Sequence, residues 1–272
     1  MIRAMFFDLD GTLLNSDRII TQQTILTLER CKESGIGLFI ATARPPLLER
    51  MLSWDENTMS LFDGGVYYNG GCIIINEQKD YLFMSDEIVQ KTIEYVFKDD
   101  NLNITLQLEG EKHALRFPLE DKYFKSWGVS AESVLSFNQI GNLKTVKILI
   151  FYDNLIDSVK PLNDELIACL KALCYDTAQF YLTDKGKCVQ IMGETVNKLQ
   201  GIEKIRKCLG LQKDEIAVFG DDVNDIEMLS EYKYSVAMGN AECHVKDAAG
   251  FVTSDNDSDG IHHAICSILR LI

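Results

Sequence analysis

Met5-Phe6-Phe7-Asp8-Leu9-Asp10-Gly11-Thr12-Leu13-Leu14 is the stretch from which the fold is read. Apolar residues run up to two carboxylates two positions apart, and a glycine then allows a sharp turn. A strand buried in a parallel sheet tolerates charge only at its end, where the crevice opens. Asp8 and Asp10 are therefore expected at the carboxyl tip of a central strand, facing a site. Two carboxylates this close repel, and a divalent cation would hold them together. An aspartate so placed can be a nucleophile that accepts a phosphoryl group. The same residues also make an ordinary acidic turn, so this motif alone leaves both readings open.

Near the other end the pattern returns. Ile216-Ala217-Val218-Phe219 leads into Gly220-Asp221-Asp222-Val223-Asn224-Asp225, and Ile226, Met228 and Leu229 then follow a helical spacing. Magnesium suits such a cluster, because it prefers oxygen ligands and accepts a phosphate oxygen. The rival is an acidic surface loop. Between the two tips, Gly37 to Ala41 reads as a buried strand that ends in Thr42-Ala43-Arg44-Pro45-Pro46. A hydroxyl followed by free backbone N–H groups makes an anion cradle, and equally a helix cap. Arg44 is the natural group to reach a substrate anion or a site carboxylate. Lys198 falls in the first turn of a helix, where a cation opposes the helix dipole unless something negative lies nearby.

Taken in order, Asp8-Leu9-Asp10-Gly11-Thr12-Leu13, Thr42, Lys198 and Gly220-Asp221-Asp222-Val223-Asn224-Asp225 resemble the four motifs of the haloacid dehalogenase superfamily of phosphatases. The details resemble its Cof-like branch, with Ala43 standing where that branch often has glycine. The resemblance implies a Mg2+-dependent phosphatase acting on small phosphorylated metabolites, sugar phosphates or similar. It implies Asp8 as nucleophile and Asp10 as acid and base. The metal would be held by the Asp8 side chain, the Asp10 main-chain carbonyl and Asp221, with Asp225 as an outer ligand or orienting group. Thr42, Lys198 and Asn224 would hold the phosphoryl oxygens, with Ala43, Arg44 and Asn69 as further substrate contacts. Two alternatives stay open: a phosphotransferase or mutase of the same superfamily, and a non-enzymatic phosphoacceptor switch.

The expected architecture is α/β, with a doubly wound, Rossmann-like parallel core (1–81 and 189–272) and an inserted α/β cap domain over 82–188. Within the insert, Ile104-Thr105-Leu106-Gln107-Leu108 alternates as a strand, and 86–99 and 155–173 carry helical spacing. His113 has no partner at ligand spacing and is expected at a surface or edge. In the core, Asn69-Gly70 signals a hairpin. Gly35 and Gly37 precede a strand and lack a third glycine, so they make no dinucleotide fingerprint. Asp255 to Gly260 imitates a calcium loop, but Cys266 stands where a glutamate is required. It is expected to be a polar loop capping a last helix, 261–272, whose His262 and His263 point to different faces.

A formal net charge of −14 over 272 residues repels nucleic acid and acidic membranes, so a small phosphorylated substrate is the expected partner. The eight cysteines are scattered singly, without a C-x-x-C, as in a reducing cytoplasm. No signal-peptide pattern opens the chain and no apolar run approaches a membrane span. Nothing in the sequence sets the oligomeric state.

Overall fold

The computed structural model describes residues 1–152 and 160–272. These divide into two compact units, one of Met1–Arg44, Leu52–Asp80 and Asn197–Ile272, the other of Pro45–Met51 and Tyr81–Val196. The chain enters through strands β1 (Ala4–Phe7), β2 (Gly37–Ala41), β3 (Gly64–Tyr67), β4 (Cys72–Ile75) and β5 (Gln78–Tyr81). Next come β6 (Leu102–Leu108), β7 (Lys112–Leu115), β8 (Val134–Leu135), β9 (Thr145–Tyr152), β10 (Ala178–Thr183) and β11 (Cys188–Gly193). It closes with β12 (Ile216–Gly220), β13 (Tyr234–Ala237) and β14 (Phe251–Val252). The fold is α/β.

The first unit is built on one sheet in the order β14-β13-β12-β1-β2-β3-β4-β5. Its pairings are parallel from β14 to β3, and the β3–β4 hairpin then adds an antiparallel strand. The tight connection passes through Asn69, whose φ of 57° is the left-handed conformation that asparagine tolerates better than most residues. Every residue of β1 and β12 is buried, as a central parallel strand covered on both faces requires. On one face Phe6 stacks on Phe39, within a core that includes Val66, Ile202, Ile205 and Val218. On the other, Phe7 stacks on Phe219 with ring centroids 4.7 Å apart. Phe7 and Phe219 are also register partners, so the two strands end level with each other.

Helices 22–33 and 198–208 carry the caps that their sequences offer. Thr21 accepts from Thr24 N at 3.2 Å, and Asn197 accepts from Gln200 N at 2.8 Å. Gly201 lets the second helix lie close on β3, since a Cβ there would stand 2.4 Å from a methyl of Val66. At the C-terminal end the structure departs from the sequence reading. The last α-helix runs only Gly260–His263 and relaxes into a π-turn over Ala264–Ile268. The acidic loop before it does not cap that helix with a side chain. Instead Asp257 accepts from Ser16 N and Oγ, and Asp259 accepts from Thr21 Oγ1, so the loop ties to the 16–21 segment. His262 and His263 do diverge, towards Thr27 and Thr253 respectively.

The second unit holds a sheet in the order β10-β11-β9-β6-β7-β8, antiparallel except at β7–β8. Alternation gives it two unlike faces. Ile104, Leu106, Ile148, Ile150, Val189 and Ile191 share a core with Ile88 and Val89 of helix Asp86–Val96 and Leu166 and Leu170 of helix Asp164–Cys174. The first part of the helix expected over 155–173 lies outside the described residues. The opposite face carries Thr105, Gln107, His113 and Lys147, all buried. Among the described residues no helix is long and apolar enough to cross a membrane.

His113 is not the surface residue expected. It is fully buried, 3.2 Å from Gln107 through its Nε2 and edge-on to Trp127. Ligand spacing was the wrong criterion, because its position on β7 decides its burial. Burial pulls its imidazole down to about 4, against a smaller opposing effect of Glu111. The folded state therefore keeps it neutral where the unfolded chain, near 6.5, takes up a proton. Stability should fall as the pH drops from about 6.5 towards 4, by about 3 kcal/mol from this residue. Thermal unfolding across that window should show the slope in the wild type, and His113→Phe should flatten it.

Candidate active site

The site of the first unit is built where β1 and β12 end side by side. Asp8 follows β1 directly, and its N–H donates to Phe219 O at 3.0 Å, which prolongs the ladder by one rung. The chain then turns at Gly11, whose φ is +79°. A Cβ there would stand 2.2 Å from Asp221 Oδ2, so only glycine lets this turn pass beside the carboxylate after β12. Thr12 Oγ1 donates to Asp221 Oδ1 at 2.8 Å, and Asn240 Nδ2 donates to Asp221 Oδ2 at 3.2 Å and to Gly11 O at 2.9 Å. Neither Thr12 nor Asn240 was singled out from sequence. Thr12 lies inside the first motif, whereas Asn240 gave no signal beyond its place just after a strand.

Asp8, Asp221 and Asp225 each bring a carboxylate oxygen to within 4.8 Å of the others. Asp225 is wholly buried and accepts the N–H groups of Asp221 and Asp222 at 3.0 and 3.1 Å, so the turn after β12 folds around it. Lys198, also wholly buried, donates to Asp8 Oδ1 at 2.5 Å and to Asp225 Oδ1 at 2.7 Å. Its place in the first helical turn thus has the negative partners that the dipole argument required. Burial works against the ammonium, but Asp225 and Asp8 outweigh it and hold Lys198 charged. Burial also raises the Asp8 carboxyl well above the usual range; Lys198 opposes this, while Asp225 and Asp221 add to it. Asp221 is pushed up to about 7 by burial and by Asp225, against the Thr12 hydrogen bond.

Three carboxylates against one ammonium leave the cluster short of positive charge. Its donors are all oxygen, the set that hard divalent cations take. The residues present therefore fit a divalent metal held by Asp8 and Asp221, with Asp225 behind them.

The remaining expected residues fall into two groups. Thr42 is buried after β2; its N–H donates to Val66 O and its hydroxyl accepts from Arg44 N at 3.2 Å. Ala43 lies within the same turn. Asn69 N donates to Thr42 O at 3.0 Å, and Asn69 Oδ1 accepts from Asn224 Nδ2 at 2.9 Å. Thus Asn69 joins the turn after β2 to the one after β12. Asp10 does not join the carboxylate cluster through its side chain. Both its oxygens face Arg44, which donates from Nε and from a terminal nitrogen at 2.6 Å each. Burial tends to lower the Arg44 guanidinium, but Asp10 outweighs this and raises it.

The family model for haloacid dehalogenase-like hydrolases matches residues 5–265, and the chain belongs to that family. It is an enzyme of the phosphatase class within it. It is 26% identical to the 5-amino-6-(5-phospho-D-ribitylamino)uracil phosphatase YitU of Bacillus subtilis, with 93% of each chain covered. It is 25% identical to phosphoglycolate phosphatase 1 of Saccharolobus solfataricus, over 99% of this chain and 97% of that one. The solved structure of a sugar phosphatase of HAD subclass IIB superposes with a TM-score of 0.81 at 26% identity, covering 99% of this chain and 100% of the other.

Removing one partner of a buried ion pair strands the other, at a cost of about 3–5 kcal/mol. Lys198→Met should lower stability by that order when divalent cations are chelated. Urea unfolding with and without chelator measures it. A loss below about 1 kcal/mol would show that Lys198 does not carry the charge balance of the cluster.

Proposed function

We propose that this enzyme is a Mg2+-dependent phosphatase of small phosphorylated metabolites that works through an aspartyl-phosphate on Asp8. The observation that supports it most is the contact of Lys198 with both Asp8 and Asp225, beside Asp221. On this reading, far-apart parts of the chain supply the nucleophile, the cation and the metal-type donor set. Asp8, the Asp10 main-chain carbonyl and Asp221 would hold the Mg2+, with Asp225 orienting. When bound, the ion supplies positive charge for the substrate phosphate and for the Asp8 carboxylate.

In the first half-reaction an Asp8 oxygen bonds to phosphorus and the bond to the leaving alcohol breaks, with Asp10 giving that oxygen its proton. In the second, water attacks the phosphoryl group, Asp10 takes the water's proton and Asp8 leaves as carboxylate. The Thr42 hydroxyl, the Ala43 N–H, Lys198 and Asn224 hold the phosphoryl oxygens, and Asn69 orients the Asn224 amide. Charge in the loose transition state is spread over those oxygens, so positioned donors and cations supply most of the rate. A net charge of −14 makes this local cation set necessary for an anionic ester and speaks against nucleic acid as a partner. Singly scattered cysteines suit a reducing cytoplasm. The related phosphatases differ in the compounds they are named for, so we propose the substrate class and not one compound. We read the second unit, which contains the insert expected over 82–188, as the cap that selects among such substrates.

Asp8→Asn should abolish Mg2+-dependent phosphate release from 4-nitrophenyl phosphate, and a chelator should do the same to the wild type. Asp10→Asn should lose about 10²–10³-fold, more on alkyl than on aryl esters, because a poor leaving group needs the proton. Substantial turnover by Asp8→Asn would sink the reading.

A further inference from the structure

The Arg44 guanidinium meets Asp10 fork to fork, with two parallel hydrogen bonds of 2.6 Å. The two partners differ in freedom: 14% of the Arg44 side chain is exposed against 53% for Asp10. The Arg44 backbone is pinned as well, its N–H to the Thr42 hydroxyl at 3.2 Å and its carbonyl to Tyr68 N at 2.9 Å. Arg44 is thus the fixed member, and Asp10 takes its orientation from it. Two parallel hydrogen bonds fix both the plane and the direction of the Asp10 carboxyl group, which a single bond would leave free to turn.

We propose that Arg44 is a positioning residue for Asp10, holding its carboxyl group by both oxygens in one orientation for proton transfer. This rests on the reading of Asp10 given above. In the water step the water oxygen bonds to phosphorus and a water proton passes to Asp10. The bond between phosphorus and Asp8 breaks with its electron pair returning to the Asp8 carboxylate. With an aryl ester, whose leaving group needs little protonation, loss of that orientation is read in the water step. A side chain that only gripped the substrate anion would act on binding instead.

The experiment is stopped-flow release of 4-nitrophenolate from 4-nitrophenyl phosphate with Mg2+, for wild type, Arg44→Gln, Arg44→Lys, Asp10→Asn and the Arg44→Gln/Asp10→Asn double variant. Since this ester needs little leaving-group protonation, slowing the water step alone makes phosphoenzyme accumulate. Arg44→Gln should lower the steady rate about tenfold and show a burst close to one nitrophenolate per enzyme. The double variant should turn over within about twofold of Asp10→Asn alone, because the two side chains act as one unit. Arg44→Lys keeps the charge but loses the fork, and should resemble Arg44→Gln. The proposal is overturned if the two losses multiply, if Arg44→Gln raises KM and spares kcat, or if Arg44→Lys restores the wild-type rate. A wild-type rate in Asp10→Asn would overturn the reading of Asp10 itself, a distinguishable failure.

Discussion

One buried ammonium between two buried carboxylates is the constraint on which the first unit's arrangement depends. Lys198, Asp8 and Asp225 are all removed from water, and each alone would cost several kcal/mol to bury charged. Together they offset one another, at separations of 2.5 and 2.7 Å. Lys198 accepts the unfavourable end of a helix dipole to be there. The helix can deliver it because Gly201 brings the backbone close to β3. The balance is incomplete, however, since Asp221 adds a further carboxylate. That residual negative charge, on oxygen donors alone, is the set that a hard cation would take.

The cluster exists because two strands end level. Phe7 and Phe219 pair in the parallel ladder and stack their rings, so the residues after each strand emerge at the same height. A slip of one residue would turn Asp8 to the opposite face and separate it from Asp221. Apolar packing thus sets the position of the charges. Gly11 completes the arrangement by letting the first turn lie against the Asp221 carboxylate without a side chain between them. The polar links between turns, Thr12 and Asn240 on Asp221 and Asn69 on Asn224, then fix side chains that the strands bring near.

The second unit shows another use of alternation. Its sheet is apolar on the face covered by helices Asp86–Val96 and Asp164–Cys174, and carries buried polar groups on the other. The strand pattern of residues 104–108 could be read directly, because period two is a local property. Whether the polar face is exposed is not local, and His113 shows this. Its neighbours in the chain say nothing of Trp127, which packs against its ring from another segment. The grouping of Pro45–Met51 with Tyr81–Val196 is likewise invisible along the chain.

The sequence by itself determined the α/β class, the strands that end in acidic turns, the hairpin at Asn69-Gly70, and the candidates Asp8, Thr42, Lys198, Asp221, Asn224 and Asp225. These are legible because periodicity, glycine and charge at a strand tip are properties of neighbours in the chain. Tertiary structure alone decided which candidates meet. It put Lys198 between Asp8 and Asp225, gave Asp221 its partners Thr12 and Asn240, and turned the Asp10 side chain to Arg44, away from the other carboxylates. It also ended the last helix at a π-turn and spent the 255–260 loop on the 16–21 segment. The reason is common to all of these. Strand register and close packing join residues distant in the chain, from 19 positions for Asp221 and Asn240 to 241 for Ser16 and Asp257, and a burial cost is set by what surrounds a group in space, which no local pattern records.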